Sequence, residues 1–209
     1  MIITWHGEGC FRIQNGATSV LVDPPHEGSG AAQPRFQTDI LIKTITAWPA
    51  AAEQASKASS VVRGAGEYDI AGITIRGFEL PDESSKNFFK TVYVLGWDDV
   101  SIGLLGHCAG SLPPAAAEHF EDCDVLIAPA GGEPFAEIDA MVKLVKQLNP
   151  KIFIPSFLKA PGVKRGGAID ARQCAEHFNG GAAEETDKFV FKKKDLVDIK
   201  KTRVVCLKG

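Results

Sequence analysis

The chain has 209 residues, 44% of them hydrophobic and 23% charged, with a formal net charge of −3. This is enough for one well-buried domain over 1–209 and short for two, and the balance excludes a disordered polymer and gives no basic field for nucleic acid. The segment Met1 to Glu8 has no basic region leading into an apolar run, and no stretch approaches the roughly 20 apolar residues of a bilayer span, so the chain is expected to be cytoplasmic with no membrane partner.

In chain order, Ile2 to Trp5 reads as a strand. Cys10 to Gln14 and Thr18 to Val22 flank Asn15-Gly16, a dipeptide suited to a hairpin turn because both positions accept positive φ. Asp23-Pro24-Pro25 stops that strand, since proline cannot donate to a ladder. Residues Glu27 to Pro34 read as a Gly/Ala-rich loop. Ile40 to Thr44 is a buried strand by composition, and Pro49 opens a predicted helix running to about Ser59. Val61-Val62 leads into a loop over Gly64 to Tyr68. Tyr68 to Ile70 and Ile73 to Ile75 form a hairpin around Ala71-Gly72. Leu80 to Asn87 is a polar surface loop, and Thr91 to Leu95 with Val100 to Leu104 forms a third hairpin.

The second half alternates. Pro113 to Phe120 reads as a helix and Asp124 to Ala128 as a strand. Ile138, Met141, Val142, Val145 and Leu148 recur at helical spacing, so that helix has one buried face. Lys151 to Pro155 is a strand, Ala168 to Phe178 a helix ended by Asn179-Gly180-Gly181, and Lys188 to Lys192 and Thr202 to Leu207 close the chain as strands. Hairpins first and alternating helices and strands later predict an α/β arrangement of mixed sheets with helices outside. The five cysteines are scattered with no Cys-x-x-Cys pair, which argues for buried thiols rather than a disulfide framework or zinc knuckle. Lysines at 192–194, 200 and 201 are expected on edge strands, where they discourage unwanted pairing.

Five segments in order carry a resemblance. They are Thr4-Trp-His-Gly-Glu-Gly-Cys-Phe11, Val20-Leu-Val-Asp-Pro24, Gly64-Ala-Gly-Glu-Tyr68 with Gly72-Ile-Thr-Ile75, Asp124-Val-Leu-Ile-Ala-Pro-Ala-Gly-Gly132 and Pro150-Lys-Ile-Phe-Ile-Pro155. Together the chain resembles the metallo-β-lactamase superfamily. Within it, the chain is most similar to the lactonase-like branch of ascorbate-6-phosphate lactonase and predicted Zn-dependent hydrolases. The resemblance implies a four-layer αββα sandwich. It also implies one or two metal ions at the sheet edge, held by a His-x-His-x-Asp-His loop, a middle Asp and late histidines.

Against that pattern the ligands are missing. In the metal loop, Ile45, Ala47, Pro49 and Ala50 stand where three histidines and an aspartate would be, and no His occurs between His26 and His107. The middle Gly-Asp pair reads Gly106-His107, the late histidine is Phe157, and Glu8 follows Gly7 in the opening motif. Metal affinity needs several donors converging, so no family-type metal site is expected.

The polar residues left near that edge are His6, Glu8, Asp23, His26, Glu67 and His107, a candidate pocket. Asp23 before Pro-Pro suits a structural hydrogen-bonding role. Glu67 suits either a ligand contact or a bond to the former metal loop. His119 and His177 read as surface residues. A cysteine nucleophile would need a nearby base, and buried thiols are inert. The first functional reading is a catalytically degenerate protein that binds an unknown small molecule or protein, with no cofactor. The alternative is a lactone- or phosphoester-class hydrolase with a relocated zinc or manganese held by some of His6, Glu8, His26 and His107. A homo-oligomer follows from family analogy alone.

Overall fold

The computed structural model describes residues 1–25, 34, 36–49, 58–159, 167–179 and 184–208. The His26 candidate, the 27–34 loop apart from Pro34, and most of the helix expected over 49–59 lie outside these residues.

The strands are β1 (Ile2–Trp5), β2 (Phe11–Asn15), β3 (Thr18–Val22), β4 (Thr38–Lys43), β5 (Ile45–Ala47), β6 (Ala58–Arg63), β7 (Gly66–Ile70), β8 (Ile73–Glu79), β9 (Phe88–Trp97) and β10 (Val100–Leu104). Then come α1 (Pro114–Phe120), β11 (Val125–Pro129), α2 (Ile138–Leu148), β12 (Ile152–Ser156), α3 (Ala171–Asn179), β13 (Glu184–Thr186), β14 (Phe189–Val190) and β15 (Arg203–Leu207). They form a six-stranded sheet ordered β14-β1-β2-β3-β4-β6 and a nine-stranded sheet ordered β13-β15-β12-β11-β10-β9-β8-β7, with β5 added beside β9. Each sheet is mixed: the hairpin strands pair antiparallel, whereas β3-β4-β6 and β10-β11-β12-β15 run parallel.

Alternation explains the layering. Ile40 and Ile42 of β4 enter the main core with Ile75, Val92 and Leu95 of the other sheet, while Leu41 turns to the opposite face and clusters with Cys10 and Leu21. Each such side chain removed from water contributes roughly 1.5–3 kcal/mol. Tyr93, fully buried, spans the sandwich: its hydroxyl donates to Lys43 O at 3.1 Å and Gly64 O at 3.3 Å. α2 buries Met141, Val142, Leu144, Val145 and Leu148 and stops at Asn149, whose φ of 49° is left-handed. Pro150 then prevents continuation.

Several expectations are corrected. Asn15 pairs with Thr18, so the first turn is Gly16-Ala17 with only Gly16 at positive φ, 58°. Asn15 is spent on a side-chain bond to Asp98 Oδ2 at 2.6 Å. Residues Gly66 to Tyr68 are strand, since they pair with β8. Ala58 and Ser59 belong to β6 and not to a helix, because β6 joins β4 in parallel. Lys192–Lys194 do not extend β14. Lys193 lies in a 3-10 turn, Lys193–Leu196, and its amine reaches Asp124 Oδ2 at 2.6 Å. Among the described residues, no helix is long and apolar enough to cross a membrane.

Candidate functional site

Two parallel strands of the six-stranded sheet end side by side. β3 and β4 run parallel with Val22 opposite Ile42, and Asp23 N donates to Ile42 O at 3.0 Å. The residues that follow the two strands, Asp23 and Thr44, are therefore neighbours. Thr44 N donates to Asp23 Oδ1 at 2.8 Å, and the Thr44 hydroxyl donates to Asp23 Oδ2. Beyond β10 the chain turns over this pair, and His107 Nδ1 lies 2.8 Å from Thr44 Oγ1 and 3.4 Å from Asp23 Oδ2. Thr44 has one hydroxyl proton and gives it to Asp23, so His107 must donate from Nδ1. His107 N also donates to Thr44 Oγ1, at 3.2 Å. In the neutral ring Nε2 is then an acceptor.

Gly106 makes the approach feasible. Its φ is +47°, and a Cβ there would lie 2.1 Å from Thr44 Oγ1. The loop is held from below by Glu83 of the 3-10 turn Pro81–Glu83, whose Oε2 accepts from Ala109 N at 2.6 Å and from Lys90 Nζ at 3.0 Å. The polar stretch 80–87, expected simply as a surface loop, thus supports the His107 loop.

Phe157 closes the site. It follows β12 with φ +57°, is buried, and donates its N–H to Glu8 O at 3.1 Å. Its ring meets His107 edge-on at 5.2 Å and lies 4.6 Å from the Phe135 ring. Gly9 leaves room for it, since a Cβ there would sit 2.9 Å from the Phe157 ring.

Two nucleophile routes are closed by burial, since Thr44, Cys10 and Cys108 are all buried. Thr44 is 1% exposed, so no substrate carbon reaches its oxygen. Burial, then the Asp23 charge, pushes the Cys10 thiol up to about 12; burial, then Glu83, does the same to Cys108. Both are neutral thiols, not thiolates.

The sequence profile of the beta-lactamase superfamily domain matches residues 2–156, most of the chain. The chain belongs to this superfamily. Its fold is the metallo-β-lactamase fold. A Thermotoga maritima protein, a candidate Zn-dependent hydrolase of the metallo-β-lactamase superfamily, superposes with a TM-score of 0.79 at 22% identity over 99% of this chain and 98% of its own. Igni18, a metallo hydrolase of Ignicoccus hospitalis, gives 0.68 at 13% identity over 100% and 96%. A candidate metal-dependent hydrolase of Parabacteroides distasonis gives 0.58 at 14% over 99% and 93%. At these identities the likeness speaks for the fold. No curated protein sequence matches.

The described residues at this strand end do not fit the superfamily's metal. Ile45 and Ala47 are drawn into β5, paired with Lys90 and Phe88 of β9, and neither side chain has a donor atom. Pro49 and Phe157 offer none either. His107 Nδ1 is committed to Thr44 and Asp23, so that ring offers a single remaining nitrogen, Nε2. Among the described residues, no group of three or more His, Cys, Asp or Glu is placed to hold a metal ion.

Of the candidates read from sequence, the structure brings Asp23 and His107 together and sets the Glu8 backbone against Phe157. His6 contacts Thr4 Oγ1 at 3.4 Å and the Phe36 ring at 5.3 Å; partial burial, then the Arg12 charge, holds its pKa below the ordinary histidine value. Glu67 stands apart on β7, paired with Arg76 at 3.3 Å and largely exposed. Thr44 and Glu83 were not singled out by sequence, and Gly106 was read only as the partner of His107 in the aligned pair. The available signal was that parallel β3 and β4 each run into a polar residue, Asp23 and Thr44.

Proposed function

We propose that this superfamily member is catalytically degenerate and acts by binding a small molecule or a protein, not by metal-dependent hydrolysis. The observation that carries the reading is the filled strand end. Where metal ligands would converge, Asp23, Thr44 and His107 satisfy one another, and Phe157 packs over them. Ile45 to Ala47 of the former ligand loop form β5, and Trp48 just beyond it is 60% exposed with its ring 6.2 Å from Phe89. A large aromatic left in water beside another ring suits contact with a ligand or partner.

The test is an assay of the purified chain, with and without added zinc or manganese, against lactones and phosphodiesters. The reading expects no turnover above buffer, and thermal-shift screening should then find ligands whose effect is lost in Trp48→Ala. Metal-dependent hydrolysis abolished by His107→Ala would overturn it.

One observation favours a second reading, a hydrolase with a relocated single metal near Glu8 and His107. A histidine whose Nδ1–H is held by a hydroxyl and a carboxylate presents Nε2 as a donor to metals. Stoichiometric zinc or manganese binding lost with both His107→Ala and Glu8→Gln would establish it.

A further inference from the structure

The last strands leave an edge open, and positive charge collects beside it. β14 is the outermost strand of the six-stranded sheet, paired only with β1 among the described residues. Phe191 N donates to Met1 O at 3.1 Å, and the Met1 ammonium donates to Phe191 O at 2.6 Å. Backbone groups alternate in direction along an antiparallel strand, so Phe189 and Phe191 address β1 while the Val190 N–H and C=O point away from it. On that far side the Thr186 hydroxyl donates to Lys188 O at 3.0 Å, and Lys192 N donates to Asp195 Oδ2 at 2.8 Å. Val190 lies between these two closed positions, beside a groove of about 380 Å³ that Thr186, Asp195 and Leu196 also line.

The side chains alternate as well. Phe189 and Phe191 are buried with their rings 4.9 Å apart. Lys188, Val190 and Lys192 take the opposite face and are exposed, Val190 at 58%. They form a Lys–Val–Lys stripe with a spacing of about 6.7 Å per step. The wider segment is strongly basic: Lys188 to Lys208 holds seven lysines, one arginine and two aspartates, a net +6 in a chain of −3. Among the described residues its ion pairs are Lys193 with Asp124, Arg203 with Glu184 and Lys208 with Glu185. Lys188, Lys192, Lys194, Lys200 and Lys201 are left outside any of them.

We propose that β14 is the docking strand for an extended acidic segment of a partner protein, which exchanges two backbone hydrogen bonds with Val190 and sets carboxylates opposite Lys188 and Lys192. Strand addition takes its affinity from main-chain bonds and its selectivity from alternate side chains. The complementary pattern is acidic, any, apolar, any, acidic, and it reads the same in both chain directions. Opposite charges and apolar residues facing across strands stabilise such pairing, and like charges oppose it. A second copy of this chain is thereby disfavoured, because β14 against β14 about Val190 sets Lys188 against Lys192. A nucleic acid is disfavoured too, since the aromatic residues of the segment, Phe189 and Phe191, are buried and give bases nothing to stack on. The site lies far from Asp23 and His107. Lys193 reaches Asp124 at the start of β11, whereas His107 follows the finish of β10, which runs parallel to β11. Whether metal binds at the Asp23 end therefore does not bear on it.

The experiment uses the full, isotope-labelled chain and a fluorescent synthetic peptide with glutamate, valine and glutamate at alternate positions and threonine between them. Anisotropy should show saturable binding that weakens about tenfold or more between about 50 mM and 0.5 M salt. The Val190 amide should show the largest NMR shift. The double variant Lys188→Glu, Lys192→Glu should weaken binding about tenfold or more, as should N-methylation of the central valine of the peptide, which removes its donor. Val190→Pro removes the outward N–H without touching the bonds of Phe191 to Met1 and should also abolish binding; the lysine variant and the methylated peptide decide the question if this variant fails to fold. A peptide with lysine in place of glutamate should not bind. No saturable binding, equal binding of the lysine peptide, shifts centred away from β14, or tighter binding of phosphatidylserine vesicles or a single-stranded oligonucleotide than of the acidic peptide would overturn the proposal.

Discussion

The starting end of β11 in the nine-stranded sheet and the finishing ends of β3 and β4 in the six-stranded sheet treat a buried carboxylate in opposite ways. At the end where the parallel strands begin, Asp124 precedes β11 and receives Lys151 Nζ at 2.7 Å, Lys193 Nζ at 2.6 Å and Ser101 N at 3.0 Å. At the end where the strands finish, Asp23 is held by the Thr44 amide and hydroxyl and by a histidine. The first end is a lock of opposite full charges that ties the C-terminal 3-10 turn to the sheet. The second is a set of mostly neutral bonds in the position the superfamily reserves for metals. One carboxylate is there for cohesion. The other, on the function proposed above, stands at a strand end where packing has taken the place of metal chemistry.

The largest effect should come from breaking the lock. Asp124→Ala removes the acceptor of three hydrogen bonds, two of them from ammonium groups that still reach water, and should cost about 2–4 kcal/mol in urea unfolding, while the imidazole NMR signals of His107 stay in place. Gly106→Ala strikes the other end. It combines an unfavourable φ with overlap on Thr44 and should cost about 2–4 kcal/mol by the same measurement, this time moving the His107 signals. Thr44→Val keeps the shape and removes the shared hydroxyl; a loss of about 1–3 kcal/mol is expected.

Acid separates the ends further. Burial opposes the Asp124 charge, but Lys151, Lys193 and the Ser101 amide outweigh it and hold the carboxyl below the ordinary aspartate range. Its stabilisation is therefore complete above the unfolded-state value of about 3.9 and is lost as pH falls through the lower folded-state value. The acid limb of a stability-against-pH curve should be shallower in Asp124→Asn than in wild type. An identical limb would remove Asp124 from the account. The smallest effect belongs to Trp48→Ala, which should stay within about 0.5 kcal/mol in stability because the ring is exposed.

Much of the fold was legible because it rests on local rules. Alternation in Val20 to Val22 and Ile40 to Ile42, the Ala71-Gly72 turn and the stripe from Ile138 to Leu148 each announce an element without long-range help. The same five segments set the frame in which Ile45 and Ala47, now in β5, and Phe157, after β12, were named. What stayed hidden depends on register between distant strands. That Thr44 meets Asp23 follows from β3 and β4 running parallel, and that Lys193 meets Asp124 follows from where the chain folds back after β14. β5 was read as a loop because its three residues make a strand only by pairing with β9. Glu67 was placed near the site through its motif, but the strand pairing of β7 with β8 carries it to an exposed edge.

The most direct test of the central claim is the metal content of purified, tag-free protein, measured by inductively coupled plasma mass spectrometry before and after incubation with zinc or manganese. A filled and degenerate strand end predicts metal far below one equivalent in a chain that remains folded. Near-stoichiometric metal that disappears in His107→Ala would contradict it and make this strand end a working metal centre.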